Sequence, residues 1–264
     1  MHSTRHLSWN AVAILAVSIL LTALSGCPRP IREDLSYDYG VEQTWQVEEL
    51  SGPPMVQFES VFWEPDDTLE LRRLITEEGI AQGRDCLEIG TGTGLISILC
   101  LAHGANRVVA TDINPAAVAC ARYNAAQYEL DENFEVRQVD PAVPEAFAVI
   151  KPNERFDLIL SNPPWEDGEI TKPADYAFYD PGFQLLESIV VGLPEHLKPG
   201  GRCLLSYGSV AGVEKLRTLA EEHGLQFEIL DDRDLETLEP VFLPGMLVEL
   251  RVKPAKVSTH TEAK

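Results

Sequence analysis

The sequence lacks the parts from which disulfide-built and metal-built proteins are made. Its five cysteines, at positions 27, 86, 100, 120 and 203, include no CxxC pair, and its six histidines are scattered. Both facts argue against a cysteine framework or a structural zinc site. Cations are scarce as well, with 21 Lys+Arg against 42 Asp+Glu and a formal net charge of −21. No cluster of Lys and Arg stands out, so tight, sequence-independent binding to a phosphate backbone is disfavoured. No internal repeat is visible. What remains is a chain of 264 residues, 45% hydrophobic, long enough for one full-sized α/β domain and too short for two with an N-terminal extension.

Residues 1–27 read as a targeting segment, with Arg5 and His6 ahead of the apolar stretch "AVAILAVSILLTAL" (11–24) and then "SGC". Leu24-Ser25-Gly26-Cys27 resembles the lipobox of bacterial lipoproteins, which implies cleavage before Cys27, its lipidation and a membrane-associated protein. Two other readings stay open: an uncleaved anchor holding the domain on the cytoplasmic face, and a true start further on, for example at Met55, giving a cytoplasmic protein. Residues 28–54, with four prolines and two glycines, are expected to be a tether or an irregular N-terminal cover. The domain proper is expected over 55–255, followed by a disordered tail at 256–264.

Within the domain, short apolar β-branched runs alternate with helical stretches, the pattern of a parallel sheet covered on both faces. Strands are expected at Asp85–Gly90, Arg107–Asp112, Phe134–Asp140, Phe156–Asn162, Gly201–Tyr207, Gln226–Leu230 and Leu247–Val252. Helices are expected near 67–79, 94–103, 115–129, 182–197 and 210–223, with Asn114 and Pro115 opening the third and Gly104 and Gly224 as helix stops. The fold class is therefore α/β: a Rossmann-like, seven-stranded, mostly parallel sheet with an antiparallel hairpin strand at one edge.

"CLEIGTGTGLISI" places Gly90, Gly92 and Gly94 between the first of these strands and its helix. Glycines there allow a sharp turn and close approach of a ligand to the backbone. The spacing is GxGxG, and no lysine follows to cradle a phosphate. Asp112 ends the next strand, 22 residues after Gly90, where a carboxylate can accept hydrogen bonds from a ribose diol. Glu88, just before the loop, is placed to meet a cationic or amino group.

"LEIGTGTG", "VVATDINPAAVACARYN" and "FDLILSNPPW", in this order and spacing, resemble the class I S-adenosylmethionine-dependent methyltransferases. More narrowly they resemble the HemK-like N-methyltransferase group, as do "VFWEPDDTLEL" (61–71) and "LLESIVVGLPEHLKPGGRCLLSYG" (185–208). The resemblance implies S-adenosyl-L-methionine as cofactor, with Glu88 and the Gly90–Gly94 loop, Thr91 included, facing its methionine part. It implies Asp112 on the ribose hydroxyls, Ile113 packing on the adenine, and Asp140, ending the third strand, near the adenine amino group.

It also gives the Asn162-Pro163-Pro164-Trp165 tip a chemical role. The lone pair of an amide or ring amino nitrogen is delocalised, so methylating it calls for orientation. The Asn162 side-chain oxygen and the Pro163 carbonyl can both accept from an NH₂ group, the prolines stiffen the tip, and Trp165 offers a flat surface for stacking. The group more often has Tyr at the position of Trp165. The expected activity is methyl transfer to a planar amide or amino nitrogen of a protein side chain or small molecule. The alternatives are a nucleic-acid adenine-N6 methyltransferase, disfavoured by charge, a methyltransferase of a membrane-associated metabolite, and a non-catalytic, membrane-anchored binding module. The expected partners are the methyl acceptor and, through the N-terminal segment, a membrane.

Overall fold

A computed structural model describes residues 32–63 and 65–253. The expected signal and lipidation at Cys27 and the expected tail at 256–264 lie outside the described residues. Residues 32–36 belong to a unit separate from Tyr37–Lys264 and hold a 3₁₀ turn at Glu33–Leu35. Among the described residues no helix is long and apolar enough to cross a membrane.

The rest begins with a small antiparallel hairpin, β1 (Val41–Trp45) and β2 (Met55–Phe58). Strand β1 falls in the segment expected to be an irregular cover. Its residues are almost all exposed, so no apolar alternation announced it. The main sheet uses β3 (Asp85–Ile89), β4 (Arg107–Asp112), β5 (Phe134–Gln138), β6 (Phe156–Ser161), β7 (Leu197–Ser209), β8 (Leu225–Ile229) and β9 (Val241–Val252). Their order in space is β5-β4-β3-β6-β7-β9-β8. All pairings are parallel except those of β9, which runs antiparallel between β7 and β8.

Among the described residues five α-helices cover the sheet: α1 (Leu69–Thr76), α2 (Leu95–Ala102), α3 (Pro115–Gln127), α4 (Gln184–His196) and α5 (Val210–Glu222). Side chains alternate across the central strands. Leu87 and Ile89 pack in one core with Leu186, Ile189 and Leu193 of α4 and Val213 and Leu216 of α5. Cys86, Leu158 and Leu160 face the other core, with Leu71 and Ile75 of α1 and Ile98 and Leu99 of α2. Cys86, Cys100, Cys120 and Cys203 are buried and free. Asn114 caps α3 by accepting from Ala116 N at 3.0 Å, and Pro115 opens the helix, as the sequence leads one to expect.

The chain leaves β3 toward β4 and β5 on one side, then returns to β6 on the other. The carboxyl ends of β3 and β6 therefore form the switch point at which open α/β sheets bind ligands. Register sets Ile89 beside Ser161, and the Ser161 hydroxyl donates to Ile89 O at 2.6 Å, joining the two strand ends.

A fully buried amide ties the remaining parts to this frame. Asn124 on α3 accepts from Val56 N at 2.8 Å and donates to Val56 O at 2.8 Å and to Thr93 O at 2.9 Å. It thereby holds strand β2 and the glycine loop on one helix. Asn124→Ala removes the side-chain partner of Val56 N, Val56 O and Thr93 O, of which Val56 O keeps the Cys120 thiol at 3.1 Å, and should destabilise the protein by about 3 kcal/mol in urea unfolding. A loss under about 1 kcal/mol would show that water or repacking satisfies them.

Candidate active site

Beyond β3 the chain turns through Gly90, Gly92 and Gly94, all at positive φ. Two of these glycines have different reasons to be there. At Gly90 (φ +75°) a Cβ would meet no atom within 4 Å, so the backbone stays open for a ligand to approach. At Gly94 (φ +86°) a Cβ would lie 3.1 Å from Ala121, so this glycine lets α2 start against α3. Gly94 packs on Ala121, while its neighbours Thr93 and Leu95 line the cleft. Gly90 N and Thr91 N donate to Thr111 O, fastening the loop to the end of β4.

Asp112 holds the loop from the side. Its Oδ2 accepts from Gly92 N at 2.9 Å and its Oδ1 from Asn114 N at 2.8 Å. Its protein surroundings still push the carboxyl up to about 6, against the lowering effect of these backbone donors. Glu88 is deeper, only 4% exposed. Its Oε2 accepts from the Thr91 hydroxyl at 2.7 Å, from Ser97 N at 3.2 Å and from the Ser97 hydroxyl. Burial outweighs these bonds and pushes Glu88 up to about 7.

These groups face a cleft of about 850 Å³ at the switch point. Of the expected site residues, Glu88, Gly90, Thr91, Gly92, Asp112, Ile113, Asn162, Pro163 and Pro164 line it. Two others do not. Asp140 is exposed and its Oδ1 accepts from Ala142 N at 2.9 Å, so it stabilises its own turn, while Val139 reaches the cleft instead. Trp165 turns toward β7, where its Nε1 donates to Ser206 O at 3.1 Å. A Cβ at Gly208 would lie 2.3 Å from the Trp165 ring, so the missing side chain at 208 makes the seat for the indole. The expected stacking platform is thus a core contact; the aromatic rings on the cleft wall are Phe62, Trp63, Tyr176 and Tyr179.

Phe62 and Trp63 follow the hairpin. Trp63 stacks on Trp45 with centroids 5.2 Å apart, and Asn114 Nδ2 donates to Ser60 O at 2.8 Å, so hairpin and helix cap fix this wall together. Tyr176 and Tyr179 belong to a cover over 166–184, closed on itself where Asp180 N donates to Glu166 O at 2.8 Å. The cover is held to α4 by Asp180, whose carboxylate accepts from Leu185 N and Leu186 N. Sequence reading missed the cover because short 3₁₀ turns carry no hydrophobic period. The cover adds Asp167, Glu169 and Asp180 to the acids Glu88, Asp112 and Glu145 on the wall; among the described residues no Lys, Arg or His lines the cleft.

At the end of β6, Asn162 Nδ2 donates to Asp67 Oδ2 at 3.2 Å. No donor among the described residues reaches Asn162 Oδ1, which is buried. Trp63 Nε1, also buried, finds no acceptor among them.

The family described as "Methyltransferase small domain" matches residues 69–226 of the chain. The chain is 30% identical to a Methanocaldococcus jannaschii protein designated a candidate protein N5-glutamine methyltransferase, over 69% of this chain and 89% of that one. It is 34% identical to the tRNA1(Val) (adenine(37)-N6)-methyltransferase of Porphyromonas gingivalis, over 46% of this chain, and spans about half of that enzyme's length (48%). A solved structure of the Thermus thermophilus 16S rRNA N2 G1207 methyltransferase, with AdoMet and guanosine, shares the fold at a TM-score of 0.58. The identity is 20%, over 81% of this chain and 51% of that one.

The raised carboxyls make stability depend on pH with a definite sign. A carboxyl whose folded value is raised adds stability while protonated, below the ordinary values of 3.8 and 4.5, and loses it as pH rises through about 6 for Asp112 and about 7 for Glu88. Without ligand, the wild type should lose more stability from pH 5 to pH 8 than Glu88→Gln does, by about 2 kcal/mol in urea unfolding. Equal losses in the two proteins would show that Glu88 is not held up by burial.

Proposed function

Because the chain belongs to the methyltransferase small domain family and is an S-adenosylmethionine-dependent methyltransferase, we propose that its acceptor is a planar nitrogen, the carboxamide of a protein glutamine side chain. The observation that carries this reading is Asn162, with a buried side-chain oxygen that lacks a donor on the wall of the cleft. An NH₂ group is the natural donor to that oxygen, and the Pro163 carbonyl beside it in the chain can take the second N–H. Two acceptors on one nitrogen fix its direction and raise its electron density without a strong base.

The donor set fits the cofactor. Glu88 and Asp112 give a cation two carboxylates in poorly solvated surroundings, and Gly90 leaves the backbone open beside them. A cleft of about 850 Å³ has room for a nucleoside-bearing ligand and an acceptor side chain. When bound, S-adenosylmethionine supplies a methyl group on a positively charged sulfur. In this reading Glu88 and the Gly90–Gly92 backbone hold its amino-acid end, Asp112 accepts from the ribose hydroxyls, and Ile113 and Val139 flank the adenine. Phe62, Tyr176 and Tyr179 form the acceptor side in place of Trp165.

The likeness to a tRNA adenine methyltransferase supports a second reading, an adenine amino group as acceptor. Six carboxylates on the wall, together with a chain charge of −21, favour the protein carboxamide, because a phosphodiester would meet repulsion at the entrance. For the N-terminal segment the proposal remains an export or anchoring signal ending at Cys27. The mass of the mature N-terminal peptide tests it: a lipidated Cys27 supports export, and an unmodified cysteine or a start near Met55 refutes lipidation.

Asp112→Ala should weaken S-adenosylhomocysteine binding at least about tenfold in calorimetry, since it removes a charged hydrogen-bond acceptor. Asn162→Ala should leave that affinity within about twofold yet lower tritium transfer from labelled S-adenosylmethionine to a glutamine-bearing peptide at least about a hundredfold. Label entering an adenosine-containing RNA oligonucleotide and no peptide would overturn the carboxamide in favour of the adenine reading.

A further inference from the structure

We infer that Asp67 is the positioning residue for Asn162, its carboxylate deciding which end of the Asn162 amide is left for the acceptor nitrogen. The inference rests on the methyltransferase reading above and deepens it.

A carboxamide has two orientations related by a half-turn about Cβ–Cγ, similar in shape and opposite in hydrogen-bonding character. An ionised carboxylate only accepts. With Nδ2 of Asn162 toward Asp67 Oδ2, at 3.2 Å, a donor meets an acceptor. Turned over, Oδ1 would face Oδ2 and two acceptors would repel in a buried place. Asp67 therefore engages the donor end and leaves the acceptor end, Oδ1, without a donor among the described residues. That end is the one an incoming NH₂ group requires. Were Oδ1 turned toward Asp67, the amide would present two N–H groups to the acceptor nitrogen and repel its hydrogens.

Asp67 can do this because it is itself held. It lies in the 3₁₀ turn Pro65–Thr68 ahead of α1 and is only 4% exposed. Its carbonyl accepts from the Ser206 hydroxyl on β7. The neighbouring strand β9 packs so closely that a Cβ at Gly245 would lie 2.4 Å from that same carbonyl oxygen. The turn thus rests on two neighbouring strands of the main sheet, β7 and β9, which holds its carboxylate relative to β6, whose end carries Asn162.

Asp67→Asn tests the idea, because asparagine keeps the shape but can donate as well as accept, so it no longer dictates the orientation. The full chain, ¹⁵N-labelled and saturated with S-adenosylhomocysteine, is read by the side-chain amide signals of Asn162, assigned by their loss in Asn162→Ala. In Asp67→Asn these signals should move, and their exchange with water should quicken at least about tenfold, as expected for losing a hydrogen bond to a charged group. Affinity for S-adenosylhomocysteine should stay within about twofold, while kcat on the glutamine-bearing peptide falls at least about tenfold with KM for S-adenosylmethionine unchanged. Unchanged Asn162 signals or an unchanged kcat would overturn the inference. The wild type gives a second measurement should the variant fail to fold: the Asn162 amide should exchange at least about tenfold more slowly than that of exposed Asn133, and equal rates would overturn the inference. A wild type that binds S-adenosylhomocysteine but leaves the peptide unmethylated overturns the glutamine reading instead, and the amide signals then decide the role of Asp67.

Discussion

The parallel pairing of β3 with β6 is the constraint on which the site depends. Where these strands end, the chain must leave in opposite directions, and the Ser161 hydroxyl on Ile89 O keeps the two exits together. One exit is the glycine loop and the other is the Asn162-Pro163-Pro164 tip. A register change of one residue would exchange Glu88 with its neighbours across the sheet and carry Asn162 off the wall. The central strands are buried on both faces between two helical layers, so that register is strongly specified.

Around this junction, buried amides and hydroxyls link pieces far apart in sequence. Asn124 binds the hairpin and the glycine loop to α3, Asn114 draws in Ser60, and Ser206 holds the turn that carries Asp67. Each is a short polar side chain satisfied by backbone groups, giving directional contacts where apolar packing would allow sliding. The walls are thereby set before any ligand arrives, the condition under which positioning can contribute to catalysis.

The cleft collects negative charge in a protein already rich in it. Burial raises Glu88 and Asp112 because their charged forms lose water, so each gains when a cation arrives. Asp167, Glu169 and Asp180 extend the acidic lining into the cover. A positively charged cofactor is drawn to such a surface.

Sequence by itself determined the layers of the domain and the first half of the site. Alternating apolar runs gave strands β3 to β9 within a few residues at most ends, because buried strands and amphipathic helices each impose a local period. The glycine spacing, Glu88, Asp112 and Asn162 were legible for the same reason: each sits at a strand end whose chemistry is local. Only the tertiary structure decided which aromatic rings face the cleft, that Asp140 and Gly94 serve a turn and a helix contact, and that Asp67 meets Asn162. The structure alone supplied the last pair, 95 residues apart. Trp165 follows two prolines in a motif that suggests stacking, yet a missing Cβ at Gly208, on another strand, makes its seat. Periodicity reports which face of an element is apolar; what that face touches depends on close packing among elements brought together by the whole fold.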